Sequence, residues 1–302
     1  MLRRTFITLA GVAGGILATR RSAALAAAET TEGTPMPTTA PITGYAPVNG
    51  LEMYYEIHGT GGTPLVLIHG AFSTIDLDFG QMLPALSQSR QVIAVELQGH
   101  GRTADIDRPL SNEFLAGDIA ALLDYLDVPQ ADIFGYSLGS AVATELAIRH
   151  PDVVRKLILA SPSFDLSGLH PGLLEGLGQM TPDLMYGSPY HDAYLELSPH
   201  PEHFEEFFAK KQAMDQAIEG WSPETIQAIT APTLLIAGDS DIVQPEHVVE
   251  MFRLLGGGVP GDVVGLPPSR LAILPGTTHV TLVHRGDWLG GMISEFLDAP
   301  VQ

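Results

Sequence analysis

The chain has no cysteine among its 302 residues, which removes thiol nucleophiles, disulfides and cysteine-ligated metals together. Basic side chains are also scarce: 15 Lys and Arg stand against 35 Asp and Glu, a net charge of −20. Nucleic acid is held by neutralising its phosphates, so this balance predicts no nucleic-acid partner. Charged residues of both signs make up only 17% of the chain and apolar ones 45%, which excludes wholesale disorder and allows a substantial core. The apolar stretch near the start, Phe6 to Ala18, is 13 residues long, too few to span a bilayer.

What surrounds that stretch has the layout of an export signal. "MLRRTFITLAGVAGGILATRRSAALAAAET" opens basic, continues apolar, and ends in alanines compatible with cleavage after Ala26 or Ala28. Arg3-Arg4-Thr5-Phe6-Ile7 resembles the twin-arginine signal, whose cargo crosses the membrane already folded. Residues 1–28 are therefore expected to be removed, leaving an exported protein, periplasmic or extracellular, with no stable membrane insertion. Loss of four arginines and no acids takes the net charge from −20 to −24. Residues 29–44, rich in Thr and Pro, read as a flexible linker.

From Tyr45 onward strands alternate with helices. "PLVLIHG" (64–70), "QVIAVEL" (91–97), "ADIFGYS" (131–137), "VRKLILASP" (154–162), "PTLLIAGD" (232–239) and "SRLAILPG" (269–276) are short apolar runs. Such runs mark strands buried on both faces. "LEMYYEIHG" (51–59) alternates as a hairpin strand would, and residues 111–126 are apolar at helical spacing behind a capping Ser111. The pattern predicts an α/β protein with a mostly parallel central sheet flanked by helices. Residues 45–165 and 223–302 form this core. Residues 166–222 contain no strand-like run but many large apolar side chains, with Phe204, Phe207, Phe208, Met214, Ile218 and Trp221 expected on one face of a helix over 201–221. They read as a helical cap over the sheet's C-terminal edge, where ligands bind in such sheets.

Gly135-Tyr136-Ser137-Leu138-Gly139 stands where the run 131–137 hands over to a helix. Alone, Gly-x-Ser-x-Gly carries modest weight, and the bland reading is a turn. Between a strand and a helix it is the setting of a nucleophile elbow, whose flanking residues must be small because strand and helix approach closely. Serine attacks only when a base takes its proton and a carboxylate orients that base. His279, on a loop just past the last predicted strand, is the expected base, with His284 in reserve. His58, His150, His170, His191, His200, His203 and His247 fall in turns, in the cap or beside helices, where solvated or capping roles are expected. Asp239 and Asp241 both follow a strand at the functional edge; Asp241 is favoured as the acid, Asp239 as a brace for the loop, and Asp165 comes third. The oxyanion donors expected are the amides of Leu138 and Ala71, with Phe72 as the alternative to Ala71 and His69 as a structural support. His200, Glu202 and His203 form a loose cluster that proline geometry at a helix start explains, so no metal and no other cofactor is expected.

Together these segments resemble the α/β-hydrolase superfamily from about Tyr45 to the C-terminus. "LIHGAF" is similar to its oxyanion loop, "GYSLGS" to its elbow, "AGDSDIVQP" to its Gly-x-x-Asp-x-x-x-Pro segment and "PGTTH" to its Pro-Gly-x-x-His segment. "ELQGHGRT" is similar to an Asp-x-x-Gly-x-Gly turn, with Glu96 in place of the usual Asp, and "GGGVPGDVVGLPPS" (256–269) lengthens the connection before the last strand. The resemblance implies a triad in the chain order Ser137, Asp241, His279, the register from Gly238 singling out Asp241. It also implies hydrolysis through an acyl-enzyme. Ser137 sets the chain apart from the haloalkane dehalogenases and epoxide hydrolases, which attack with aspartate. The elbow differs from that of proline iminopeptidases, and the cap offers only Lys210 and Lys211 as cations where carbon–carbon bond hydrolases tend to use an arginine. A small apolar ester is the expected substrate. The alternatives are an amide or a carbon–carbon bond, perhydrolysis as a side reaction, and, last, a non-catalytic binding protein.

Overall fold

The computed structural model describes residues 40–301. The expected export signal (1–28) and most of the expected linker lie outside those residues. Eight strands form one sheet in the order β1-β2-β4-β3-β5-β6-β7-β8. They are β1 (Ile42–Val48), β2 (Leu51–His58), β3 (Leu65–Ile68), β4 (Val92–Val95), β5 (Ala131–Tyr136), β6 (Val154–Ala160), β7 (Thr233–Ser240) and β8 (Arg270–Thr278). β1 and β2 pair as an antiparallel hairpin and β2 joins β4 antiparallel; from β4 to β8 every pairing is parallel.

The continuous apolar runs become strands because both faces are covered. Every residue of β3, β4 and β5 is buried. Successive side chains enter opposite layers: Val66, Ile68 and Ile133 pack in one, Leu65, Leu67 and Phe134 in the other. The first layer lies under the helices Asn112–Tyr125, Leu138–Arg149 and Pro245–Leu254, the second under Ile75–Phe79 and Gly286–Asp298. Ser111 Oγ accepts the Phe114 amide at 3.1 Å, so the expected cap is formed. Phe114 itself is solvent-facing, with the Arg108 guanidinium over its ring at 5.2 Å.

Three expectations are corrected. The sheet starts at Ile42, so residues 42–44 are strand and not linker. Pro47 and the short Gly44 hid this strand, and both are tolerated because β1 is an edge. The helix expected over 201–221 runs only from Phe204 to Gln216. Phe204, Phe207, Phe208 and Met214 are buried on it, whereas Ile218 and Trp221 lie beyond its end, where the Trp221 indole donates to Glu145 Oε2 at 2.7 Å. Third, Lys210 and Lys211, the cations that the sequence offers a ligand in the cap, are already engaged. Lys210 binds Asp105 and the Ile106 carbonyl, and the buried Lys211 binds Asp215.

Residues 166–222 leave from the C-terminal end of β6 and return to β7. They hold the helices Leu173–Gly178, Pro189–Leu197 and Phe204–Gln216, and no strand. An aromatic cluster fastens this segment to the core. Phe72, in the loop after β3, stacks on Phe208 with centroids 5.4 Å apart and meets Phe207 edge-on at 5.5 Å. Tyr194 stacks on Phe207 with centroids 5.5 Å apart. Each fully buried aromatic of this kind stabilises by roughly 1.5–3 kcal/mol, enough to hold the helix on the loop.

Candidate active site

Ser137 sits between β5 and the helix Leu138–Arg149, at φ 54 and ψ −114. A side-chain-bearing residue avoids that region, at a cost of order 1–3 kcal/mol, and such strain persists where the surroundings enforce it. The flanking glycines show the enforcement. A Cβ on Gly135 would lie 2.0 Å from the Gly139 carbonyl oxygen, and one on Gly139 2.0 Å from that of Ile68. Strand, turn and helix are therefore pressed together, and the hydroxyl is pushed out at the C-terminal edge. Ser137 remains partly accessible, while the residues on either side of it are buried.

His279 follows β8 and opens the short helix His279–Leu282, whose cap is Thr278. Tyr136, the residue before Ser137, donates its hydroxyl to the His279 carbonyl at 2.9 Å, and the two rings lie 5.3 Å apart. The imidazole is thus fixed to the elbow by a neighbour as well as by its own loop. Its Nε2 lies 2.9 Å from Ser137 Oγ and its Nδ1 2.9 Å from Asp241 Oδ1. A register shift between Gly238 and Ser240 at the end of β7 separates the two aspartates. Asp241 turns inward and is buried at 3% exposure, whereas Asp239 is exposed and accepts the Gly276 and Thr277 amides at 2.9 and 3.2 Å. A Cβ on Gly238 would meet the Thr277 carbonyl oxygen at 2.0 Å, so only glycine lets β7 and β8 approach closely there.

Burial works to raise the Asp241 pKa, but hydrogen bonds from His279 and Ser161, with the His279 charge, outweigh it and hold the carboxyl below the usual range. The amides of Val243 and Gly238 reach the same carboxylate at 3.3 and 3.4 Å. An ionised acid behind the imidazole orients its Nδ1–H and stabilises the imidazolium that forms when Nε2 takes a proton.

The loop after β3 supplies the other wall. His69 is wholly buried; its Nε2 accepts the Leu97 amide at 3.1 Å, which puts its proton on Nδ1, 2.7 Å from the Gly70 carbonyl. Burial pushes its pKa down to about 4, so it is a neutral tie between this loop and the end of β4. Asp78 accepts the Gly70 amide at 2.7 Å and is pushed up to about 6 by burial. Neither the Ala71 nor the Leu138 amide donates to another group among the described residues. Both remain available to a ligand. Phe72 has a φ of 59, which turns the chain sharply after Ala71.

The remaining sequence candidates lie elsewhere. His284 is exposed, and the imidazole that reaches Ser137 is that of His279. Asp165 caps a turn, accepting the Ser167 amide at 2.7 Å. His247 stacks on Phe164 with centroids 4.1 Å apart. His200, Glu202 and His203 bring their possible ligand atoms within 4.8 Å of one another, all on exposed side chains. Glu96 fills the place of the usual Asp, accepting the Arg102 amide at 2.6 Å and its guanidinium at 2.8 Å. Burial drives its pKa up to about 7. Sequence reasoning missed Ser161, Asp78 and the Tyr136 hydroxyl: the first two belong to no motif, Tyr136 fills a variable position of the elbow, and each is placed by tertiary contact.

The profile of the alpha/beta hydrolase fold matches residues 63–190. Among curated proteins, a 2-hydroxymuconate semialdehyde hydrolase of Pseudomonas sp. (strain CF600) is 32% identical over 146 residues, 47% of this chain and 48% of the relative. A pimeloyl-[acyl-carrier protein] methyl ester esterase of Neisseria meningitidis serogroup A is 26% identical over 279 residues, covering 83% of this chain and 78% of the relative. The chain spans only 28% and 48% of the lengths of two curated relatives that it matches at 39% and 32% identity. Among solved structures, a meta-cleavage product hydrolase from Pseudomonas fluorescens IP01 superposes with a TM-score of 0.68 at 22% identity, over 86% of this chain and 98% of that one.

Proposed function

We propose that the chain is a hydrolase of the α/β-hydrolase superfamily and that it cleaves small apolar carboxylic esters through an acyl-enzyme, a reading that the family match and the hydrolases similar to it support. The observation that carries this reading is the unbroken line from Asp241 through His279 to Ser137, with 2.9 Å at each link and the serine held in a strained turn. His279 Nε2 takes the Ser137 proton as Oγ attacks the ester carbonyl. The amides of Leu138 and Ala71 receive the oxyanion, and an amide of this kind is worth about 3–4 kcal/mol. The imidazolium then protonates the leaving alcohol, and a water activated by the same nitrogen releases the acid.

The cap argues for an ester over a substrate bearing a carboxylate. Both of its lysines are already engaged, Lys210 with Asp105 and Lys211 with Asp215, and its inner surface is built from Phe204, Phe207, Phe208 and Tyr194. The acidic balance of the chain disfavours anionic substrates and nucleic acid in the same way. The twin-arginine-like opening supports export of the folded enzyme, with no membrane segment left after cleavage. The test is a panel of p-nitrophenyl acyl esters beside amide and carbon–carbon substrates. Esters are expected to be turned over faster by orders of magnitude, and Ser137→Ala to abolish turnover with unchanged melting. An amide or carbon–carbon substrate that outpaces every ester overturns the ester reading.

A further inference from the structure

Ser161 lies at the end of β6, far from the elbow in sequence, and no motif marks it. Its hydroxyl is 2.8 Å from Asp241 Oδ1 and 2.7 Å from His279 Nδ1. Its side chain is buried, at 4% exposure for the residue. The carboxylate can only accept, so the Ser161 proton goes to Asp241, and the lone pairs of Oγ are left facing the Nδ1–H of His279. That proton is then shared by two acceptors, Asp241 Oδ1 at 2.9 Å and Ser161 Oγ. The Ser161 amide donates to the Ile236 carbonyl at 2.7 Å, which ties it to β7, the strand that leads into Asp241. Hydroxyl and acid therefore keep their spacing together.

The backbone at this position is strained. Ser161 has a φ of 56, in the left-handed region where glycine is the undemanding choice, and it precedes Pro162, which favours an extended residue before it. A turn that needed only its shape would be served better by glycine. We propose that Ser161 is a positioning residue of this active site. Its hydroxyl sets the rotation of the His279 ring and moderates the charge that Asp241 presents to it. The inference rests on the triad reading above.

Ser161→Gly separates the two roles, since glycine accepts φ 56 without strain while the hydroxymethyl group that reaches Asp241 and His279 is lost. Melting is expected to hold or rise. On a p-nitrophenyl ester kcat is expected to fall about tenfold, the scale of one hydrogen bond to a charged group, with KM within about twofold. The variant takes one donor from Asp241 and one acceptor from His279 Nδ1, so the ascending limb of the kcat/KM–pH profile is expected to move from its parent position. Ser161→Thr keeps the hydroxyl on a branched residue and should do the reverse, melting lower while retaining more of kcat than the glycine variant. An unchanged kcat and pH profile in Ser161→Gly overturns the proposal. So does a loss of rate that follows a fall in melting with the limb unmoved. Ser137→Ala run alongside keeps the causes apart: activity surviving there defeats the triad reading itself, not the role of Ser161 within it.

Discussion

Replacing Asp241 with asparagine tests the electrostatics of the site with little change of shape. Asp241 Oδ1 receives His279 Nδ1, Ser161 Oγ and the Val243 amide at 2.9, 2.8 and 3.3 Å, and Oδ2 faces the Gly238 amide at 3.4 Å. An asparagine that keeps its oxygen toward the first three must point its NH₂ at the Gly238 amide, donor against donor. The opposite flip sets two N–H groups against His279 and favours the wrong tautomer. Either way the negative charge is gone. At an effective dielectric of about 20, a charge pair about 4 Å apart is worth about 4 kcal/mol, or about three decades of rate. A wrong tautomer in such a triad costs about 10⁴ in kcat. The expectation is a fall of about 10³–10⁴ in kcat for a p-nitrophenyl ester, with KM little changed. Asp239→Asn is the control. That exposed side chain braces Gly276 and Thr277, so a loss of less than about tenfold is expected, accompanied by a lower melting temperature. Steady-state kinetics at a fixed pH reads both. The reasoning is refuted if Asp241→Asn keeps a tenth or more of the rate, or if Asp239→Asn loses as much as it does.

Gly135→Ala places a methyl 2.0 Å from the Gly139 carbonyl oxygen, which neither strand nor helix can yield without moving the elbow. A loss of about 1–3 kcal/mol or more in chemical denaturation is expected, together with loss of activity; wild-type values for both contradict the close approach. Glu96→Gln probes the buried carboxyl that replaces the usual Asp. Because the folded-state pKa is raised to about 7, the native state binds more protons than the unfolded chain between roughly pH 4.5 and 7, and this contribution to stability shrinks as pH rises through that window. Measured at pH 5 and pH 8, the melting difference between the variant and the parent should shift in favour of the variant at pH 8. A shift the other way contradicts the assignment.

How much of this was legible depended on whether a residue is held locally or by tertiary contact. The buried strands announced themselves through runs such as "LVLI" and "VIAV", since only burial on both faces tolerates such sequences. The strand-to-helix handover at Ser137 was equally plain, and the two glycines there have a steric reason that a sequence can display. β1 escaped notice because an edge strand needs less β-propensity and tolerates Pro47. The end of the cap helix at Gln216 broke no apolar periodicity, and the burial of Lys211 depends on Asp215, a pairing that composition does not reveal. Ser161 was the least legible. A serine after an apolar run looks like any strand end, and its function rests on a positive φ and on partners 80 and 118 residues away.

The central claim is that Ser137 is an activated nucleophile, and covalent capture tests it most directly. Incubating the folded protein with a fluorophosphonate and reading intact mass should give a single adduct, mapped to the peptide that contains Ser137 and absent from Ser137→Ala and strongly slowed in a His279→Ala variant. A protein that stays unlabelled, or one that labels at another serine while Ser137→Ala reacts as fast as the parent, contradicts the account.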